Sequence, residues 1–224
     1  MTIGIGILCK LPRPGMAKTR LAQGVGPAAA ARLADAFLED VVTTAAGFAA
    51  THDVRLFAFC RPADAVDEMR AYFPASVPVL PQHGDDLGAM MLDAIARMLA
   101  DCQEGAFVMG CDIPHLPASV LTEAVATLRT QKPTAIIGPS EDGGYFLIGM
   151  TDLSFAHLLE PMPWSTPEVY RLTVERARDA GLALHPLARL FDIDEPADLE
   201  RLRALLAEAP SDVAPATRAA LRDI

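Results

Sequence analysis

A single carboxylate closes a buried stretch of this chain. Residues 106–109 are apolar, carry a glycine at each end, and are followed by Cys111-Asp112-Ile113-Pro114. A short apolar run bounded in this way reads as a buried strand. Pro114, which has no backbone donor, stops its ladder. In open α/β sheets ligands sit at the carboxyl ends of the strands, so Asp112 stands where a ligand or its metal ion would be met. Its other use would be to cap the helix that begins near Pro117 or Ala118. A set of cations stands earlier in the chain. Lys10, Arg13, Lys18 and Arg20 project from a loop that Pro12, Pro14 and Gly15 stiffen. Stiffness lowers the entropy lost on gripping a ligand. Lysine supplies point charges and arginine forked donors, which is the chemistry of phosphate binding. Lys18-Thr19 follows Ala17, so the spacing of a Walker A loop is absent and a P-loop ATPase is disfavoured.

Further candidates lie in three loops. Pro81-Gln82-His83-Gly84-Asp85-Asp86-Leu87-Gly88 joins a strand to a helix. Its glycines let a planar or anionic ligand approach the backbone, and the Gln82 amide offers a paired donor and acceptor to a base edge. Asp85 or Asp86 would alternatively cap the helix, and His83 has no ligand-spaced partner. In Glu141-Asp142-Gly143-Gly144-Tyr145 the Asp-Gly-Gly makes a tight turn before a returning strand. The turn accounts for both glycines but not for the paired acids. Phe191-Asp192-Ile193-Asp194-Glu195-Pro196 leads into a helix, and carboxylates two apart in an extended segment face one way. The only tryptophan, Trp164, lies in a proline-punctuated run, Pro161-Met162-Pro163-Trp164-Ser165-Thr166.

The elements that must position these groups alternate. Strands are expected at residues 3–9, 53–60, 77–80, 106–109, 134–138, 145–148 and 182–186. Helices are expected at 27–46, with Leu33, Phe37, Val41 and Val42 on one stripe, and at 63–72, 89–100, 118–129, 167–180 and 196–207. Thr166 is the expected N-cap of the helix at 167–180, with Pro167 at its first position. Residues 210–224 read as a loop and a short terminal helix. The alternation runs from end to end without a Ser/Gly-rich linker or an internal repeat, which gives one α/β domain over 1–224.

At 51% hydrophobic over 224 residues, the chain can bury a sizeable core. No apolar run reaches the roughly 20 residues of a membrane span. The run at 3–9 has no basic residue before it and is too short for a signal-peptide core, so it reads as the first strand. Cys9, Cys60, Cys102 and Cys111 form no C-x-x-C pair. They read as buried thiols of a reducing cytosol rather than a zinc site, and a cytoplasmic protein is expected. The net charge of −10 argues against broad nucleic-acid binding. Its distribution is uneven. Residues 1–34 hold five cations and no acid, whereas the other 14 of the 19 cations share the rest of the chain with all 29 acids. A positive segment on an acidic protein points to one local anionic ligand.

Taken together, six motifs resemble one family. They are Lys10…Pro12…Pro14-Gly15…Lys18-Thr19-Arg20-Leu21, Gln82…Gly84…Asp86-Leu87-Gly88, Gly110…Asp112…Pro114…Leu116, Asp142-Gly143-Gly144-Tyr145, Trp164-Ser165-Thr166 and Asp192-Ile193-Asp194…Pro196…Asp198-Leu199. In this order they resemble the bacterial glycosyltransferase-like family called radical-SAM/selenodomain-associated transferase 1. More distantly, the chain is similar to phospholactate and molybdenum-cofactor guanylyltransferases. The resemblance covers nearly the whole chain. It implies a GT-A-like, nucleotide-diphospho-sugar transferase fold, a three-layer αβα sandwich with a mostly parallel mixed sheet. In that superfamily a strand-end aspartate and a late Asp or Asn hold a divalent metal against nucleotide phosphates. Asp112 matches the first position, and Asp192 the second with Asp194 as its rival. Hard oxygen ligands and a phosphate partner favour Mg²⁺ or Mn²⁺. By the same match the loop with Lys10, Arg13, Gly15, Lys18 and Arg20 grips phosphates, and the segment with Gln82, Asp86 and Gly88 holds the base.

Two enzymatic readings follow from the resemblance. One is metal-dependent glycosyl transfer from a nucleotide diphosphate sugar to a small acceptor, with cations and metal neutralising the leaving diphosphate. Asp112 and Asp142 would be catalytic, with Asp142 or Glu141 as the acceptor-side base. Glu141, Gly143, Gly144, Tyr145 and Trp164 would surround the acceptor. The other reading is nucleotidyl transfer to a phosphorylated small molecule, with pyrophosphate leaving. It stays open because Cys111-Asp112-Ile113 offers one carboxylate where many glycosyltransferases carry Asp-x-Asp. A third reading is a nucleotide-binding module without turnover.

Overall fold

The computed structural model describes residues 2–130 and 133–224. Among these residues seven strands form one mixed sheet, in the order β3-β2-β1-β4-β6-β5-β7. They are β1 Ile3–Lys10, β2 Val54–Arg61, β3 Val79–Pro81, β4 Gly105–Met109, β5 Ala135–Pro139, β6 Tyr145–Met150 and β7 Leu184–Pro186. β1 runs parallel to β2 and β4, β2 to β3, and β5 to β7; β6 is antiparallel to both of its neighbours. Helices Pro27–Thr51 and Ala118–Thr130 pack on one face, and Leu87–Leu99 and Val169–Asp179 on the other. The expected three-layer αβα sandwich is what forms.

Strand β1 shows how the sequence builds these layers. Its side chains alternate between faces, so Ile3, Ile5, Ile7 and Cys9 are buried together on one side. On the other side Gly4 and Gly6 leave room for Met98. A Cβ on Gly4 would stand 3.0 Å from Met98 Cβ, and one on Gly6 2.9 Å from Met98 Cε. The helix Leu87–Leu99 therefore lies close on the sheet. A third cluster joins Leu21, Leu33 and Phe37 to Phe191, Ile193, Leu199 and Leu202. It fastens the loop after β1 to the segment entering the helix Pro196–Glu208.

Some elements differ from expectation for local reasons. The first long helix continues to Thr51, since Gly47 faces open space and Phe48 is buried beyond it. The helix expected at 63–72 is three short turns, Ala63–Ala65, Val66–Met69 and Arg70–Tyr72. Ala65 and Met69 are its only fully buried positions, too few to seat a helical face. The helix expected to start at Pro167 starts at Val169, and Thr166 does not cap it; the Thr166 hydroxyl donates instead to the Pro163 carbonyl at 2.7 Å. β7 starts at Leu184 because the Leu182 N–H closes the preceding helix on Ala177 O at 2.8 Å. No helix among the described residues is long and apolar enough to cross a membrane.

Candidate active site

β1 and β4 lie side by side at the centre of the sheet, and β2 and β6 flank them on opposite sides. The carboxyl ends of two such strands flank a topological switch point, where open α/β sheets bind ligands. The loops after β1 and β4 open there into a cleft of about 990 Å³. Lys10, Lys18, Arg20, Gln82 and Asp112 line it, and so do Asp142, Gly144, Tyr145, Trp164, Asp192 and Asp194.

Lys18 is the electrostatic centre of the cleft. Its Nζ lies 2.5 Å from Asp112 Oδ1 and 2.8 Å from Asp194 Oδ1, and its side chain is only 7% exposed. Burial works against the ammonium charge, but the two carboxylates outweigh it and raise the lysine's pKa. Lys18 also takes φ +48°, a left-handed conformation that costs any residue with a Cβ. Arg20 holds the second oxygen of Asp194 at 2.5 Å. Burial disfavours the Asp194 charge, yet Lys18 and Arg20 keep its carboxyl below the usual range. Asp192 has the opposite environment. Ser140 donates to its Oδ1 at 2.6 Å, and burial, with Asp142 and Asp194 nearby, pushes its carboxyl up.

The remaining candidates divide by what holds them. Lys10 donates to Met16 O at 2.6 Å and so braces the loop. Both Gln82 amide hydrogens are committed, to Phe59 O at 2.7 Å and Cys9 O at 3.1 Å, which leaves its oxygen as the amide's remaining hydrogen-bonding atom. Asp142 Oδ1 accepts from the Gly144 N–H at 2.8 Å. Tyr145 and Trp164 meet edge to face at 6.5 Å, and the Trp164 Nε1 is buried without a partner among the described residues.

Six candidates lie outside the cleft lining. Arg13 pairs with Glu68 at 2.7 Å, and Gly15 takes φ +76° at the turn of the loop. Asp86 caps the helix Leu87–Leu99 through the Ala89 N–H at 2.8 Å. Gly88 is packed over, since a Cβ there would stand 2.2 Å from Leu159 O and 2.5 Å from Trp164 Cζ2. Gly143 is likewise packed, against Pro167 O at 2.3 Å from a Cβ. The sixth, Glu141, turns to a forked ion pair with Arg201 at 2.5 and 2.8 Å, and those hydrogen bonds lower its pKa. Residues not anticipated also shape the site. Besides Ser140, Glu195 and Asp198 form a reciprocal capping box at Pro196–Glu208. Of these, only the box had a sequence signal, an acid three residues after the cap.

Among the described residues no three Asp, Glu, His or Cys side chains are gathered as a metal cluster. The donor set nonetheless fits a hard cation. Asp112 and Asp194 already converge on one positive charge, and Asp192 is a half-buried carboxylate beside two others with no cation partner among the described residues. Oxygen-only ligands of this kind suit Mg²⁺ or Mn²⁺.

A family model described as an uncharacterized protein conserved in bacteria (DUF2064) matches residues 44–166. The chain belongs to the DUF2064 family. A solved structure from Desulfovibrio desulfuricans G20, described as a candidate nucleotide-diphospho-sugar transferase, is 30% identical at a TM-score of 0.86, covering 100% of this chain and 95% of that one. CMP:2-keto-3-deoxy-manno-octonic acid synthetase, solved with CTP, is 12% identical at 0.59, covering 93% and 99%. Rv0371c of Mycobacterium tuberculosis H37Rv, solved with manganese, is 16% identical at 0.55, covering 93% and 100%. At these last two identities the likeness is one of fold. No curated protein matches the chain. This DUF2064 chain thus has the nucleotide-diphospho-sugar transferase fold that its motifs implied.

Proposed function

We propose that the protein is a metal-dependent transferase acting on a nucleotide-activated donor. The observation that carries this reading is the meeting of Lys18, Asp112 and Asp194 in one cleft at the switch point, with Arg20 beside them. Lys18, Arg20 and Lys10 would bind the donor's phosphates, and Asp112 with Asp194 or Asp192 would hold the divalent ion. When bound, that ion supplies charge neutralisation to the leaving phosphates. Gln82 presents only an acceptor, which suits a base with an N–H donor in that direction. Asp142 is the acceptor-side base, since it lines the cleft while Glu141 is held by Arg201.

For the group transferred we adopt glycosyl transfer to a small acceptor. The aromatic wall of Tyr145 and Trp164, both lining the cleft, suits the apolar face of a sugar ring. Nucleotidyl transfer is the second reading, favoured by the lone carboxylate of Cys111-Asp112-Ile113. The products separate them. With Mn²⁺, release of nucleoside diphosphate from a nucleotide sugar supports the first, and release of pyrophosphate from a nucleoside triphosphate supports the second. No turnover and no thermal shift with either donor class would overturn the transferase reading.

A further inference from the structure

Lys18 occupies the place between the two carboxylates that a divalent ion would share. Its Nζ contacts Asp112 Oδ1 at 2.5 Å and Asp194 Oδ1 at 2.8 Å, and the Phe37 ring lies 5.9 Å from it. Arg20 takes the other oxygen of Asp194. Both carboxylates therefore already carry a cation. A second cation placed on the same oxygens would sit against a buried ammonium, where poor screening makes like charges repel strongly. The ammonium has to leave, yet among the described residues its only ion-pair partners are these two carboxylates. A nucleotide's phosphate oxygens would give it a new partner.

We propose that Lys18 is a resident counter-ion exchanged for the metal, and that nucleotide phosphate completes the exchange by taking over the ammonium. This rests on the nucleotide-donor reading above. Metal and nucleotide then bind interdependently. Metal alone meets an occupied site, and nucleotide alone must draw Lys18 away from carboxylates that are left without a cation. Because binding free energies are reciprocal, each ligand strengthens the other by the same factor. Lys18 is held at a left-handed φ in the same loop as Gly15, with its side chain 7% exposed.

Manganese binding tests the exchange without any turnover. Free Mn²⁺ is followed by electron paramagnetic resonance with wild type, Lys18→Met and Lys18→Arg, and folding of each is checked by circular dichroism. Without nucleotide, Lys18→Met should bind Mn²⁺ about tenfold or more tightly than wild type, while Lys18→Arg, which keeps the charge, should resemble wild type. Should Lys18→Met fail to fold, Lys18→Gln serves in its place. In wild type, Mn²⁺ should tighten binding of at least one of ADP, CDP, GDP and UDP about tenfold or more, and that coupling should shrink in the neutral variant. Equal Mn²⁺ affinity in wild type and the neutral variant overturns the exchange. A gain of Mn²⁺ affinity in the variant with no nucleoside diphosphate bound by wild type would keep Lys18 as counter-ion, but it would overturn the nucleotide linkage and count against the donor reading itself.

Discussion

The Ile193 N–H donates to the Asp112 carbonyl at 3.0 Å. This one bond sets the segment that carries Asp192 and Asp194 against the loop that carries Asp112. Ile193 is fully buried with Leu21 and Phe37, so the same residue also anchors the loop of Lys18 and Arg20. The site is thus assembled by an apolar side chain and a backbone bond, with the charged groups on either side of them. Asp112→Asn keeps the backbone and nearly the same shape. We expect it to weaken metal-dependent nucleotide binding at least tenfold, about 1.4 kcal/mol, and to leave the fold intact. Titration calorimetry with Mn²⁺ and nucleotide, beside a thermal melt, checks both halves.

Much of this arrangement could be read from the chain and part of it could not. The strand end at Asp112 is legible because an apolar run, a glycine and a proline bracket it. The cluster of cations after the first strand is legible because no acid precedes Asp35. The pairing of Lys18 with Asp194 spans 176 residues and depends on how one apolar cluster packs, which no local pattern encodes. Glycines mislead in a related way. Gly88 and Gly143 signal a close approach, but spacing does not say whether a ligand or the protein itself comes near. Here Trp164 and Leu159 fill the space over Gly88, and Pro167 that over Gly143.

Gly88 gives a direct test of that packing. A methyl group there must displace Leu159 O or the Trp164 ring. Gly88→Ala should cost about 1–3 kcal/mol of stability, in the range of overpacking. It should also change the emission of Trp164, the only tryptophan. Unaltered fluorescence with unaltered stability would show that the ring is not seated on Gly88.

His115 predicts an acid limit to stability. It is buried against Phe191 at 4.5 Å, and neither ring nitrogen has a partner among the described residues. Burial first, and then Arg201, whose guanidinium lies 3.9 Å from the Phe191 ring, lower its pKa from 6.5 to about 4. Above pH 6.5 the ring is neutral folded or unfolded and contributes no pH dependence. Between about 6.5 and 4 only the unfolded chain takes up the proton, so stability falls as pH falls, by at most roughly 3 kcal/mol. Denaturant melts across that window should show a shallower decline in His115→Leu than in wild type. Parallel curves would refute the assignment.

The two late carboxylates should separate by what their loss does to the metal-free protein. Asp192 is a half-buried charge beside Asp142 and Asp194, and the Ser140 hydroxyl donates a hydrogen bond to it. Asparagine keeps an oxygen to accept that bond and removes the repulsion. Asp192→Asn should therefore be as stable as wild type, or more stable by up to about 1 kcal/mol, as substitutions that relieve functional sites often are. Asp194→Asn does the reverse. It leaves the buried Lys18 with Asp112 alone and Arg20 with Glu195 alone, so it should cost about 1–3 kcal/mol, the range for stranding a buried polar group. Urea melts in chelator measure these changes, and Mn²⁺ binding is then measured on the same proteins. If Asp192 is a ligand, its variant loses metal while keeping or gaining stability, the mark of a residue held for binding rather than folding. If Asp192→Asn destabilises the protein and still binds Mn²⁺ as wild type does, Asp192 is a structural partner of Ser140, and Asp112 and Asp194 are left as the metal's two carboxylates.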